Sequence, residues 1–224
     1  LDVIPMFRTL YYGNPFLGLF FKASNRLALA PIDAQEKNVE SIKEKLGVDC
    51  ALVSVAGSNL IGIYTAMNSN GIIVPNIMEL SEIAILKKAG LNVYVSGELN
   101  NAHGNNLCVN DKGGLVNPRI DSAEKKKMED ALGVELVAME IAKYPTVGSI
   151  CVTTNKGFLV HYSASEDEIK LAGEALHVQG SRGTLNGGVG FLGVCTVHND
   201  KGFVAGESTT GFELGKAESE LGYL

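Results

Sequence analysis

The chain has 224 residues, 46% of them hydrophobic and 20% charged, and a net charge of −6 at pH 7. This is the composition of a globular protein with enough chain for a real core. It excludes a protein that holds nucleic acid by its overall charge, since such binding rests on many cationic phosphate contacts, and it leaves RNA only a local patch. No apolar run is long enough to span a bilayer. Residues 1 to 10 lack the basic and apolar segments of a signal peptide. Cys50, Cys108, Cys151 and Cys195 are scattered without CxxC spacing. They read as reduced thiols of a cytoplasmic protein, with no metal or cofactor expected.

In chain order, residues 3 to 10 (VIPMFRTL) read as a strand that no helix precedes. The chain then passes Gly18 into an apolar run, a Ser24-Asn25-Arg26 turn and a second run stopped by Pro31. A helix begins near Asp33 and Glu36, shows Val39, Ile42 and Leu46 on one face, and ends at Gly47. CALVSV, from Cys50, is a third strand. The same grammar then returns. Gly62, Gly104, Gly148 and Gly193 each lead a strand; Pro75 and Pro118 stop second strands as Pro31 does. Asp121 with Glu124, Ser165 with Glu168, and Thr210 with Glu213 resemble capping boxes. Gly90, Gly133 and Gly222 end helices, and NVYVSG, VELVAMEI and the weaker HVQGSRG supply third strands.

The copies have a period. The turn glycines Gly71, Gly113, Gly157 and Gly202 follow one another at intervals of 42, 44 and 45 residues, and counting back 45 from Gly71 reaches Arg26 in a first copy without the glycine. A fixed spacing in this range marks a repeat architecture. The fifth copy runs out at Leu224 before its third strand, while the chain begins with an unaccompanied one. Residues 3–10 are therefore expected to complete the fifth unit and remove the open edges. The expectation is an α/β fold: a closed ring of five quasi-identical units of about 45 residues with pseudo-five-fold symmetry. It is a single domain with units at 11–55, 56–97, 98–142, 143–186 and 187–224, the last closed by strand 3–10. An open solenoid is the alternative, but its ends would need polar caps.

Few motifs carry chemistry. Gly188 to Gly193 (GVGFLG) matches a dinucleotide fingerprint, yet a strand and hairpin follow instead of a helix, so a glycine-rich loop is the better reading. Five-unit rings include enzymes that modify guanidino groups with a cysteine nucleophile, a histidine and paired carboxylates, which makes Cys195, His161 and His198 the residues to weigh. Cys195 reads as a strand residue at nearly the repeat position of Cys151 and Cys108, which suggests packing. The mixed-charge runs EKNVESIKEK and SAEKKKMED read as solvated outer helix faces. The segments entering each unit are rich in Gly, Asn, Ser and Thr: YYGNPFLG, VAGSNLIG, NAHGNNL, PTVGS and LNGGVGFLG. Equivalent positions fall on one end of a ring, so these loops form one rim, with Asn14, Asn59, Asn105, Asn106 and Asn186 expected to be exposed on it.

The stretches VAGSNLIGIYTAMNSNGIIVPN, GNNLCVNDKGGLVNPRID, PTVGSICVTTNKGFLVH and NDKGFVAGESTTGFEL together resemble the translation initiation factor 6 family, most closely its archaeal members. The resemblance covers nearly the whole chain and is loosest over residues 1 to 16. It implies a pentein-type α/β propeller without enzymatic activity. It also implies binding to the intersubunit face of the large ribosomal subunit, on ribosomal protein near the sarcin–ricin loop with limited rRNA contact, which blocks the small subunit. Neither a membrane nor a small-molecule substrate is implied, and a cytoplasmic monomer is expected. The binding rim carried over consists of Asn14, Ser58, Asn59, Gly104, Asn105, Asn106, Thr146, Val147, Ser149, Asn186 and Gly187. The alternative is a guanidino-modifying enzyme on the same ring.

Overall fold

The computed structural model describes residues 6–224. It contains five separate three-stranded sheets, not one continuous barrel, and each sheet has the same plan. In the fourth unit, Cys151–Thr153 runs antiparallel to Gly157–His161, which runs parallel to Gln179–Gly183; the helix Glu166–Leu176 makes the crossover. The other units follow with central strands Leu27–Pro31, Gly71–Pro75, Gly114–Val116 and Phe203–Gly206, and long helices Glu36–Leu46, Leu80–Lys88, Ser122–Leu132 and Gly211–Glu220. The central strands are buried throughout, so they read as continuous apolar runs where a half-exposed strand would alternate.

The fifth sheet takes its third strand from the start of the chain. Met6–Thr9 lies parallel to Phe203–Gly206 in the register Phe7↔Val204 and Arg8↔Ala205. The closing strand expected at residues 3–10 is thus present over 6–9; residues 3–5 lie outside the described residues. The first-unit alignment needs a one-residue correction. Leu27 pairs with Asp49 as Gly71 pairs with Asn92, so Leu27, not Arg26, holds the glycine position.

The leading glycines do not open strands directly. They sit in one-turn helices, Ile61–Tyr64, His103–Asn106, Val147–Ile150 and Leu192–Cys195, and in the 3₁₀ turn Leu17–Leu19. The reason is close approach. A Cβ on Gly62 would collide with the Gly18 carbonyl, one on Gly104 with Gly62, one on Gly148 with Gly104, one on Gly193 with Gly148, and one on Gly18 with Gly193. Only glycine allows backbones to touch in this way, and the succession returns to its start. The apolar core repeats the pattern. It divides into five clusters, each joining one unit to the next, and one of them packs Val197 and Val204 of the fifth unit against Leu17, Phe21, Ile42 and Leu46 of the first.

Helix ends follow the expected signals with two exceptions. Asp121, Ser165 and Thr210 are N-caps, while in the first unit Gln35 replaces Asp33, and Glu79 with Glu82 forms a capping box that the sequence reading missed. Gly47 and Gly133 take the left-handed C-cap; in the fourth unit His177 does so with φ 55°.

Candidate functional site

Each third strand runs parallel to its central strand, so the loop leaving it lies at the same end as the start of the next unit's long helix. The loop tips of four units turn through left-handed residues: Tyr12–Gly13, Ala56–Gly57, Ala142–Lys143 and Asn186 to Gly188. They are pinned by Tyr11↔Asn14, Val55↔Ser58, Ile141↔Tyr144 and Leu185↔Val189 bridges. Beneath three of these tips stands a carboxylate from the third residue of a long helix. Glu82 accepts from Ala56 N at 2.8 Å and Gly57 N at 3.0 Å, Glu168 from Ala142 N at 2.9 Å, and Glu213 from Gly187 N at 3.1 Å and Gly188 N at 2.8 Å. Glu124 serves Gly97 in the third unit, and in the first unit Asn38 donates to the Leu10 carbonyl instead. Burial works against the charge of Glu82, yet bonds from Ser54, Gly57, Glu79 and Ala56 outweigh it and hold the carboxyl below its ordinary pKa. The hydrogen bond from Lys127 does most to bring Glu124 down to about 2.

The rim residues divide into two groups. Asn14, Ser58, Asn59, Asn105 and Thr146 are half-buried and Gly187 is exposed, but Gly104, Asn106, Val147, Ser149 and Asn186 are buried. Asn106 and Asn186 therefore correct the expectation of exposed asparagines. Asn106 donates to the Asn100 carbonyl at 2.8 Å and accepts from Asn117, while Asn186 donates to the Pro15 carbonyl at 2.9 Å and accepts from Thr209. Ser149 bonds Thr146. Of the half-buried set, Asn14 accepts from Phe16 N, Ser58 from Leu60 N, and Asn59 donates to both carboxylate oxygens of Asp33. Asn105 differs: among the described residues only its backbone is engaged, through Asn105 N to Ala102 O, and its side-chain amide has no protein partner.

Sequence reasoning missed the apolar part of this end. Tyr12, Ile32, Leu80, Leu99, Tyr162 and Phe212 are all more than half exposed there. The signal was available. Ile32 and Tyr162 stand one residue past a central strand, and Leu80 and Phe212 lie in a first helical turn, out of step with the buried stripe. Tyr162 stacks on His161 at 4.3 Å, and Tyr144 and Phe191 close an aromatic cluster around them.

The catalytic alternative loses its geometry. Cys195 ends a one-turn helix and is not in a strand; it is fully buried, its thiol bonds the Phe191 carbonyl, and burial pushes its pKa up to about 12. Counted from the leading glycines, Cys195, Cys151 and Cys108 occupy three successive positions, not one, yet all three are buried, which keeps the packing reading. His161 closes a central strand at the rim end, whereas His198 ends a first strand, approaching the turn end, and bonds the Thr153 carbonyl.

The structure is thus a fivefold-repeated α/β scaffold with one loop-built rim, and among the described residues His161 and His198 stand at opposite ends of their units. The chain matches the eIF-6 family over residues 6–220 and belongs to it. It is similar to "Translation initiation factor 6" of Methanocaldococcus jannaschii, with 35% identity over 97% of this chain and 98% of that protein. The protein of the same name from Pyrococcus abyssi is 37% identical over 96% and 97%, and that from Staphylothermus marinus 36% over 91% of each.

Proposed function

We propose that this protein is a translation initiation factor of the anti-association kind. In this reading its units close into a pentein-type ring, and the rim binds the intersubunit face of the large ribosomal subunit. The partner there is ribosomal protein beside the sarcin–ricin loop, with limited rRNA contact, and the bound ring sterically excludes the small subunit. It acts as a monomer in the cytoplasm and supports large-subunit maturation. The observation that carries the reading is the rim itself: several loop tips held rigid from below, with the Asn105 amide and large apolar side chains left unengaged. One small loop cannot bury the roughly 1,200–2,000 Å² of a specific complex, whereas five acting together can. Short polar side chains also lose little entropy on docking.

Co-sedimentation with isolated large and small subunits tests this. The protein is expected to travel with the large subunit alone and to reduce subunit joining. Asn105→Glu places a bulky charge on the rim and is expected to abolish co-sedimentation with little change in melting temperature. Lys126→Glu, on an outer helix where the lysine side chain is 71% exposed, is expected to do neither. Failure of the unmodified protein to bind large subunits of its own source, or binding that leaves joining intact, defeats the proposal.

A further inference from the structure

One seam of the rim departs from the repeat. Counted along the central strands, Tyr162 stands where the other units carry Ile32, Asn76, Pro118 and Glu207, and His161 where they carry Pro31, Pro75, Asn117 and Gly206. The fourth unit alone therefore leaves its central strand on two rings in succession. Tyr144 closes on His161 at 5.3 Å, and Phe191, from the fifth unit, closes on Tyr144 at 5.2 Å. Gly190 lets the two units meet, since a Cβ there would strike both the His161 and the Tyr162 ring.

The seam holds Tyr162 still and leaves one face of it bare. Its turn is closed by Ala164 N, which donates to the His161 carbonyl at 3.0 Å, and Ser163 N donates to His161 Nδ1 at 3.1 Å. The buried His161 ring stacks on Tyr162 with centroids 4.3 Å apart and planes 27° apart. Burial holds that imidazole below its ordinary pKa, so this floor is neutral at pH 7. The opposite face of Tyr162 is open, the residue being 54% exposed. An aromatic face carries the negative part of the ring quadrupole. Among the described residues no cation of the chain itself covers it: Arg182, which reaches this turn, is spent on Glu166 at 2.8 Å and on the Ala164 carbonyl.

The segments that carry these rings set the sign of a fitting partner. Glu140 and Asp167 are exposed on them against one exposed lysine, Lys143, while Glu166 is already paired. A phosphate-bearing strand would meet these carboxylates, which disfavours nucleic acid here, whereas a cationic side chain gains from the carboxylates and from the ring face together. A guanidinium fits better than an ammonium because it is flat, stacks on rings and is more weakly hydrated. We propose, resting on the rim reading above, that the outer face of Tyr162 seats an arginine of the protein partner in a cation–π contact.

The test is the affinity of the full chain for isolated large subunits, by co-sedimentation, with the ring at this position made progressively poorer in electrons. Tyr162→Phe and its singly, doubly and triply fluorinated analogues keep the ring's shape and are at least as apolar as phenylalanine. The expected result is a stepwise weakening with each fluorine, reaching about tenfold at the third, while the melting temperatures stay together. Tyr162→Leu, which keeps apolar area but has no π face, is expected to fall with the triply fluorinated protein. Equal affinity across the series means that the ring acts by burial alone, and affinity that rises with fluorination means that it stacks on a base or another ring. Either outcome overturns this proposal and leaves the rim reading standing, whereas failure of the unmodified protein to bind large subunits overturns both.

Discussion

Replacing His103 by leucine is expected to stabilise this protein. His103 is completely buried and, among the described residues, neither ring nitrogen has a partner. It precedes a leading glycine, and its equivalents in the other units are Leu17, Ile61, Val147 and Leu192, all buried. An unpaired buried polar group costs about 1–3 kcal/mol, and leucine at this register adds apolar contact of the kind its four counterparts already make. A gain of about 2 kcal/mol at pH 7 follows, or roughly 4–8 °C in melting temperature for a chain of this size. The pH dependence is more telling. Burial outweighs the pull of Glu98 and Glu124 and brings the imidazole down to about 4, against an ordinary 6.5. Between those values the unfolded chain takes up a proton that the folded one refuses, so the histidine's contribution to stability falls as pH falls from about 6.5 to about 4. Integrated over that window the loss is about 3 kcal/mol. Urea titrations of both proteins at pH 7 and pH 4.5 should therefore show the advantage of His103→Leu growing in acid, since other titrating groups are common to the two. A variant less stable than the parent at pH 7, or an advantage that does not change with pH, would mean that the imidazole has a partner and the reasoning is wrong.

Two further substitutions probe the scaffold. Gly62→Ala drives a Cβ into the Gly18 carbonyl and is expected to cost at least about 3 kcal/mol, whereas Gly211→Ala, which has open space around it, is expected to be neutral or slightly stabilising; calorimetry of the pair separates close approach from glycine content. Glu82→Ala strands the donors of Ser54, Ala56, Gly57 and Glu79 and is expected to cost about 2–4 kcal/mol at pH 7. Because the folded carboxyl titrates below its ordinary value, its contribution is present above about pH 4.3 and is lost as pH falls through the folded pKa. The penalty measured by urea titration should accordingly shrink in acid.

The sequence disclosed those repeated features that carry a residue signature of their own. The turn glycines, helix stripes and Gly47 and Gly133 caps recur because each unit solves the same backbone problem, and a period makes one solution visible several times. The short helices at the leading glycines were hidden, since a single turn has no periodicity to read. The capping box of Glu79 and Glu82 was missed because glutamate is not a usual N-cap residue. On the rim, side-chain type pointed to asparagine but could not separate Asn105, whose amide is unengaged, from Asn106 and Asn186, which are buried and bonded within the fold. That distinction depends on partners far away in sequence, such as Pro15 for Asn186.

The same distinction settles which charges a partner at the rim would meet. All five long helices point their N-termini toward this end, and acidic residues gather there as the helix dipole favours. Yet Glu82, Glu124, Glu168 and Glu213 spend their oxygens on backbone N–H groups of the loop tips. Those carboxylates make the rim stiff; they are not free to recognise anything. The charge presented outward comes instead from the exposed Glu79, Asp121, Asp167 and Glu207, with Asp33 bonded by Asn59 and Glu166 paired with Arg182, and from the exposed cations Arg119 and Lys143. At physiological salt the Debye length is about 8 Å, so only these outward groups act on an approaching surface. Under the proposed function their net negative sign would favour a basic partner and act mainly on encounter and orientation, while the exposed apolar side chains of Tyr12, Leu99, Tyr162 and Phe212 would supply the burial that holds the complex. A rim that combines the two would lose association rate with added salt but keep most of its dissociation rate, and the truncation of Tyr162 would do the reverse.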